Sequence, residues 1–522
     1  MLRLPLFLSL LAFLHRVKNS DGQSCSATTD FSGEVLVQGG VIVNEDGEQR
    51  ADVLIADGKI VRVASEIPAE SAGRVVDATG KFVFPGGIDP HTHLAMPFMG
   101  TVSIDDFESG HRAALAGGTT MHVDFVLPVE GSLVKGVKEW EKKAEKSKMD
   151  YMFHMAVTGW KDQISSEMET VVREYGINSF KFFLAYKGAL MVSDDQFVKA
   201  LRRCKELGAL AQVHAENGDA VAEGQEEMIR LGVTQPHGHA LSRPAELEEE
   251  ATNRAIMLAR FVNTPLYVVH VMCKGAMEAV ARARQAGQRV IGEPTIAGMA
   301  LDESLLWNSN FTEAAKFVMS PPIRSLERDG LFLRDALRND VLSLIATDHA
   351  TFNSEQKAKG KDDFRMIPNG VNGLEERIPV AWELMVNSGK LSRPQFARAV
   401  STAAAKIFNV YPQKGAIREG SDADLFIIDP KEKFRISKNT HHSNLDTNVF
   451  EGFEGTGAVT VTISQGRVVW EGGKLHLDGV EGRYVRGDPF APFLFSGIDN
   501  EEKRKALKRE VPKASPTVVA SA

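Results

Sequence analysis

Cysteine is scarce in this chain: Cys25, Cys204 and Cys273 are the only three among 522 residues. They are too few and too far apart for a disulfide framework or the paired spacing of a zinc ribbon. Cys204 falls on the apolar side of a helical pattern and reads as a small core residue. Positive charge is also short, with 61 Lys and Arg against 69 Asp and Glu and a net charge of −8. That balance argues against nucleic acid as the partner. Long apolar runs are missing too. The run Leu4 to Leu14 behind Arg3 is interrupted by Pro5 and Ser9 and is too short to span a bilayer. Its length suits the hydrophobic region of a secretory signal, although the polar stretch behind His15, Arg16 and Lys18 has no clean small-x-small cleavage site. Residues 1–30 are therefore expected to be a leader for the secretory pathway, in the endoplasmic reticulum lumen or endomembranes, with the cytoplasm as the alternative. No membrane span is expected in the mature chain. The one glycosylation sequon, Asn310-Phe-Thr, reads as an unmodified loop asparagine.

What is present is a globular composition, 43% hydrophobic and 25% charged, on a chain too long for one ordinary core. From Glu34 to Phe84 short apolar strands (Val35-Leu-Val, Val41-Ile-Val, Val53-Leu-Ile) alternate with Gly-Gly and Asp-Gly turns. Such a piece needs a partner sheet. One appears far downstream, in Ala423-Asp-Leu-Phe-Ile-Ile-Asp, Val459-Thr-Val-Thr-Ile and Arg467-Val-Val-Trp. The two chain ends are expected to share a β-sandwich, residues 31–84 and 411–485, with a large insertion over 85–410. The insertion alternates helix-like stretches with apolar β runs: Phe82–Phe84, Met121–Phe125, Tyr151–Val157, Ser179–Leu184, Leu210–His214, Leu266–His270, Val290–Ile291 and Leu342–Ala346. Eight buried-type strands with helices between them predict an α/β fold, a closed parallel (β/α)8 barrel. Ser193 with Gln196 predicts a capping box ahead of an apolar stripe that Gly208 ends, and Ser103 with Asp106 predicts the start of another helix. A doubly wound sheet is the alternative, without a Gly-x-Gly-x-x-Gly to support it. The tail, 486–522, reads as an arm that lies on a neighbouring subunit and then frays.

Chemistry in such barrels gathers at the carboxyl ends of the strands. Those ends carry His91 and His93, Lys181, His214, His270 and Asp348. Each has an ordinary explanation alone: loop or core histidines, or for Asp348 an N-cap. Four imidazoles and a carboxylate at corresponding strand ends point together to a metal site. Lys181, flanked by Phe180, Phe182 and Phe183, should be buried. Its amine would then be paired with a carboxylate, or neutral and able to take up carbon dioxide as a carbamate that bridges two cations.

The set His91-Thr-His93, Lys181, His214, His270 and Asp348 resembles the binuclear ligands of the cyclic amidohydrolases. Longer stretches are similar to the hydantoinase–dihydropyrimidinase branch of that family, most of all its plant-type members: Phe98-Met-Gly-Thr-Val-Ser-Ile-Asp-Asp-Phe, Phe180-Lys-Phe-Phe-Leu-Ala-Tyr-Lys-Gly, Met319-Ser-Pro-Pro-Ile-Arg and Ile367-Pro-Asn-Gly-Val-Asn-Gly-Leu-Glu-Glu-Arg. The likeness runs from about Val35 into the 490s. It implies one Zn²⁺ on His91, His93 and Asp348 and a second on His214 and His270, bridged by carbamylated Lys181 and a hydroxide. Asp348 would carry the proton, Tyr186 would stabilise the oxyanion, and Ser320 and Asn369 would bind the imide edge of the ring, largely through backbone groups. A homotetramer is implied as well. Where related dihydroorotases and allantoinases have arginine or asparagine, this chain has Ala95, which suits a neutral ring. The expected reaction is ring opening of 5,6-dihydrouracil and dihydrothymine to N-carbamoyl-β-alanine and N-carbamoyl-β-aminoisobutyrate, in reductive pyrimidine catabolism. The alternatives are a hydantoinase-type hydrolase, or a non-catalytic adaptor like the collapsin-response mediators, which have lost metal ligands that this chain keeps.

Overall fold

The computed structural model describes residues 33–498, so the expected leader, Cys25 and the end of the tail lie outside the described residues. Apolar alternation near the N-terminus builds two facing sheets. The smaller has the order Lys59–Ala64, Asp52–Ala56, Val35–Gln38, Arg74–Asp77. The larger runs Lys474–Leu475, Arg467–Glu471, Glu454–Ser464, Leu425–Arg435, Phe82–Pro85, Val41–Asn44, Gly47–Arg50. Val37, Val53, Ile55, Val83, Leu425, Ile427 and Ile463 fill the space between them. Both ends of the chain thus share one core, joined where Val83 pairs with Ile427 and Phe84 with Phe426.

That pairing corrects one expectation. Phe82–Phe84 is a strand of the small domain, and the first barrel strand is Gly87–Thr92. The run is apolar on both faces, a property common to sandwich and barrel strands. The chain changes sheets at Gly86, where a Cβ would lie 2.0 Å from the Thr120 hydroxyl.

Seven parallel strands then follow in sequence order: Gly87–Thr92, Thr119–Val126, Asp150–Ala156, Ser179–Phe183, Leu210–His214, Leu266–Val268 and Val290–Gly292. The expected eighth strand is extended but makes only isolated bridges, Ala346 with Thr295 on one side and His349 with Thr92 on the other. Those bridges close the sheet into a barrel. Outside it, helix Asp194–Leu207 starts at the Ser193–Gln196 capping box and ends at Gly208, in left-handed backbone with φ +67°. Helix Phe107–Ala116 is capped by Asp106 with Ser109. Ser103 has a different part from the one expected: its hydroxyl donates to the His93 carbonyl and accepts from the Met96 N–H, shaping the loop behind a candidate ligand.

Through Ile498 the arm packs on the barrel of its own chain. Val485 N–H donates to Tyr151 O and Phe490 N–H to Gly208 O, while Ala491 and Leu494 pack with Phe408 beneath the amino ends of the strands. Among the described residues no helix is long and apolar enough to cross a membrane.

Candidate metal centre and substrate cavity

In Gly87–Thr92 side chains alternate, so His91 and His93, one residue apart, emerge on one side of the strand's end. Both Nε2 atoms lie 3.1 Å from Asp348 Oδ1. His91 Nδ1 is held by Glu293 Oε1 at 2.7 Å, which fixes the ring and turns Nε2 toward Asp348. His91 Nε2 is buried without a hydrogen bond. Two imidazole nitrogens and a carboxylate oxygen within 4.8 Å of one another, one of them unsatisfied, are the donor set a divalent cation takes.

A second pair stands beside them. His214 Nδ1 and His270 Nε2 are 2.8 Å apart. The His270 ring lies 5.4 Å from that of His91. Glu216 holds His214 Nε2 at 2.8 Å and is itself paired with Arg243 at 2.7 Å. Glu293 spans both halves: it holds His91, accepts the backbone N–H of His270 at 3.1 Å and receives the Tyr267 phenol. Lys181 is 1% exposed, over the Phe125 and Phe183 rings at 4.6 and 5.3 Å. Its amine makes no ion pair or hydrogen bond among the described residues, and its charge acts on all four histidines.

Burial sets the protonation states. It pulls Lys181 down to about 8 against the pull of the Asp348 and Glu293 carboxylates. It brings His93 to about 4 and takes His270 well below the ordinary range. It also lowers His214, although Glu216 resists. Neutral imidazoles are the ligating form. His91 is the exception: the Asp348 and Glu293 carboxylates overcome burial and hold it at about 9. Negative charge has gathered there for a cation to balance. Tyr186, His270 and Asp348 have φ of +62°, +36° and +54°, a costly backbone that clusters at functional sites.

These groups form the floor of a cavity of about 500 Å³ walled by Met96, Phe98, Leu127 and Leu190. Tyr186 stands in its side, in contact with Ser320 and Asn369, and Asn369 Nδ2 donates to Ser320 Oγ at 3.0 Å. Every residue expected at the site meets there: His91, His93, Lys181, His214, His270, Asp348, Tyr186, Ser320 and Asn369. Ala95 does not reach the cavity; its carbonyl receives the Lys143 ammonium, while Met96 to Met99 form the wall. Three basic side chains unforeseen from sequence also line it, and each is already paired: Arg243 with Glu216, Arg365 with Asp363 and Glu226, Lys187 with Asp219. Apart from Lys181 on the cavity floor, no Lys or Arg among the described lining residues is left unpaired to receive a substrate's negative charge. Glu293 was legible by the same rule as the ligands, being the residue just past Val290–Gly292. A second acid group, Asp150, Asp422 and Asp424, lies at the opposite end of the barrel and is filled by the Lys414 ammonium, so it is an ion-pair cluster.

The amidohydrolase family pattern matches residues 82–469. A dihydropyrimidinase of Arabidopsis thaliana is 58% identical over 90% of this chain and 88% of its own length. The crystal structure of dihydropyrimidinase from Brevibacillus agri NCHU1002 superposes with a TM-score of 0.86 at 43% identity, over 88% of this chain and 99% of that one. A D-hydantoinase from a Bacillus sp. AR9 superposes with a TM-score of 0.85 at 42% identity, over 87% and 99%.

Proposed function

This chain belongs to the amidohydrolase family, and on that premise we propose that its site opens the rings of 5,6-dihydrouracil and dihydrothymine. It is a hydrolase of cyclic amides, of the dihydropyrimidinase type. The donor set fits two cations: His91, His93 and Asp348 would hold one and His214 and His270 the other, with Lys181, carbamylated, between them. Zn²⁺ suits the imidazole-rich set. When bound, such a pair supplies hydroxide at neutral pH and polarises a carbonyl. The Tyr186 phenol donates to the ring carbonyl oxygen as charge gathers on it, and burial keeps that phenol protonated by raising its pKa. Asp348 takes the proton of the attacking water and returns it to the ring nitrogen as the C–N bond breaks. Ser320 and Asn369 orient the imide edge. A homotetramer, and delivery by residues 1–30 into the secretory pathway, belong to the same reading.

The observation that carries it is the meeting of six ligand-type side chains on the floor of a cavity whose other basic side chains, Lys187, Arg243 and Arg365, are already paired. A neutral ring fits that cavity, and an anionic one would find Lys187, Arg243 and Arg365 already held by carboxylates. The test is loss of ultraviolet absorbance with dihydrouracil, dihydroorotate, allantoin and hydantoin, with metal analysis of the same preparation. Turnover of dihydrouracil, no turnover of dihydroorotate and about two zinc per chain are expected. A metal-free, inactive protein would favour the adaptor reading.

A further inference from the structure

Lys357 ends the short helix Ser354–Lys357 and is 4% exposed, yet no carboxylate pairs with it among the described residues. Its Nζ donates to two main-chain carbonyls, Val318 O at 3.0 Å and Gly370 O at 2.8 Å. Gly370 N–H donates to the same Val318 carbonyl at 2.9 Å, which closes a small triangle of three residues. A buried amine without a counter-ion is a costly way to fill space, and an apolar side chain of equal reach would cost less. Burial brings its pKa to about 7, and the amine can serve both carbonyls with or without its extra proton.

The two carbonyls are significant for where they lie. Val318 is two residues before Ser320, and Gly370 directly follows Asn369. Gly370 has φ +149°, and a Cβ there would stand 2.2 Å from the Ala350 carbonyl, so this stretch has no side chain of its own with which to hold its place. His239 Nε2 takes the intervening carbonyl, Met319 O, at 2.8 Å, so the Val318–Ser320 strip is held at consecutive peptides.

We infer that Lys357 is a positioning residue for substrate recognition, holding the Val318–Ser320 and Asn369–Gly370 main chains at the spacing that receives the imide edge of the ring. This rests on the reading of Ser320 and Asn369 as the groups that bind that edge. Because such binding runs largely through main-chain groups, truncating Ser320 or Asn369 would not expose it. Lys357 is the side chain through which it becomes accessible to mutation.

The test is Lys357→Met, of similar reach but without donors, assayed with dihydrouracil. Loss of two hydrogen bonds' worth of placement should raise KM by about tenfold or more with kcat within about twofold and metal content unchanged. Lys357→Gln, with one short amide, should fall between wild type and Lys357→Met, and it decides the matter if Lys357→Met does not fold. A raised KM in Lys357→Gln supports the inference. Wild-type KM in a folded, metal-loaded variant overturns it, as does a fall in kcat at constant KM, the sign of a purely structural role. The underlying reading is checked separately on the wild-type enzyme with N3-methyl-dihydrouracil, whose imide edge is blocked. If wild type turns that ring over as readily as dihydrouracil, the assignment of Ser320 and Asn369 fails whatever Lys357 does.

Discussion

Single residues at this site separate into those that hold charge and those that meet it. Lys181 has no hydrogen-bond or ion-pair partner for its amine among the described residues, and its charge acts on all four histidines. Lys181→Ala should therefore fold normally but lose its metal, and turnover should fall by at least the ~10²-fold that even outer metal contacts are worth. Full activity in this variant would refute the bridging role. Tyr186 stands in the cavity wall, its ring 5.2 Å from that of His214. Tyr186→Phe should keep its metal and lose kcat by ~10²-fold, the usual effect of removing one oxyanion donor. Elemental analysis beside steady-state rates distinguishes the two variants, and equal metal loss in both would mean that Tyr186 has been misassigned. At this scale the sequence was readable because one rule, polar groups at carboxyl ends of barrel strands, places each ligand. Glu216, Arg243 and Tyr267 were not: Glu216 holds His214, Arg243 holds Glu216 and Tyr267 holds Glu293, and the periodicity of the strands gives no mark of such supporting contacts.

Elements were legible where periodicity and end signals agree, as in helix Asp194–Leu207, with its capping box and glycine stop. They were ambiguous where a run is apolar throughout. Phe82–Phe84 could join either sheet by its composition, and pairing with Leu425–Arg435, more than 300 residues away, decides it. The arm shows the same dependence on distant partners: its first stretch carries Pro489 and Pro492 and no strand or helix periodicity, yet Phe490 folds back on the glycine that stops that helix. A Cβ at Gly208 would lie 2.4 Å from the Phe490 ring. In Gly208→Ala the left-handed backbone alone should cost about 1–2 kcal/mol, and Phe490 must swing aside. The expected result is a lower thermal midpoint and faster amide exchange over 486–495, with KM and metal content unchanged. An unaltered midpoint would show that the arm does not report on this cap.

For the molecule as a whole, the question is what locks the barrel to the small domain. One link is charged. Lys414, 2% exposed, meets Asp150 at the start of a barrel strand and Asp422 and Asp424 just ahead of the small domain's Leu425–Arg435, with Arg483 closing the cluster on Asp150 at 3.0 Å. Burial disfavours charge on all of them, but the Lys414 ammonium outweighs it at Asp150 and Asp422, the latter held down to about 2. Asp424 is raised, because burial wins there. In Lys414→Met the three carboxylates would face one another without the ammonium, at a cost of about 3–5 kcal/mol. The sign with pH follows from linkage. In wild type, Asp422 contributes stability that is complete above its unfolded pKa near 3.8 and is lost only as pH falls toward about 2. In the variant the carboxylates move up, so they destabilise most at neutral pH and are relieved as they protonate on acidification. The thermal midpoints of wild type and Lys414→Met should therefore lie far apart at pH 7 and draw together toward pH 4. A gap that stays constant across that range would mean that packing, and not charge, is what Lys414 supplies between the two domains.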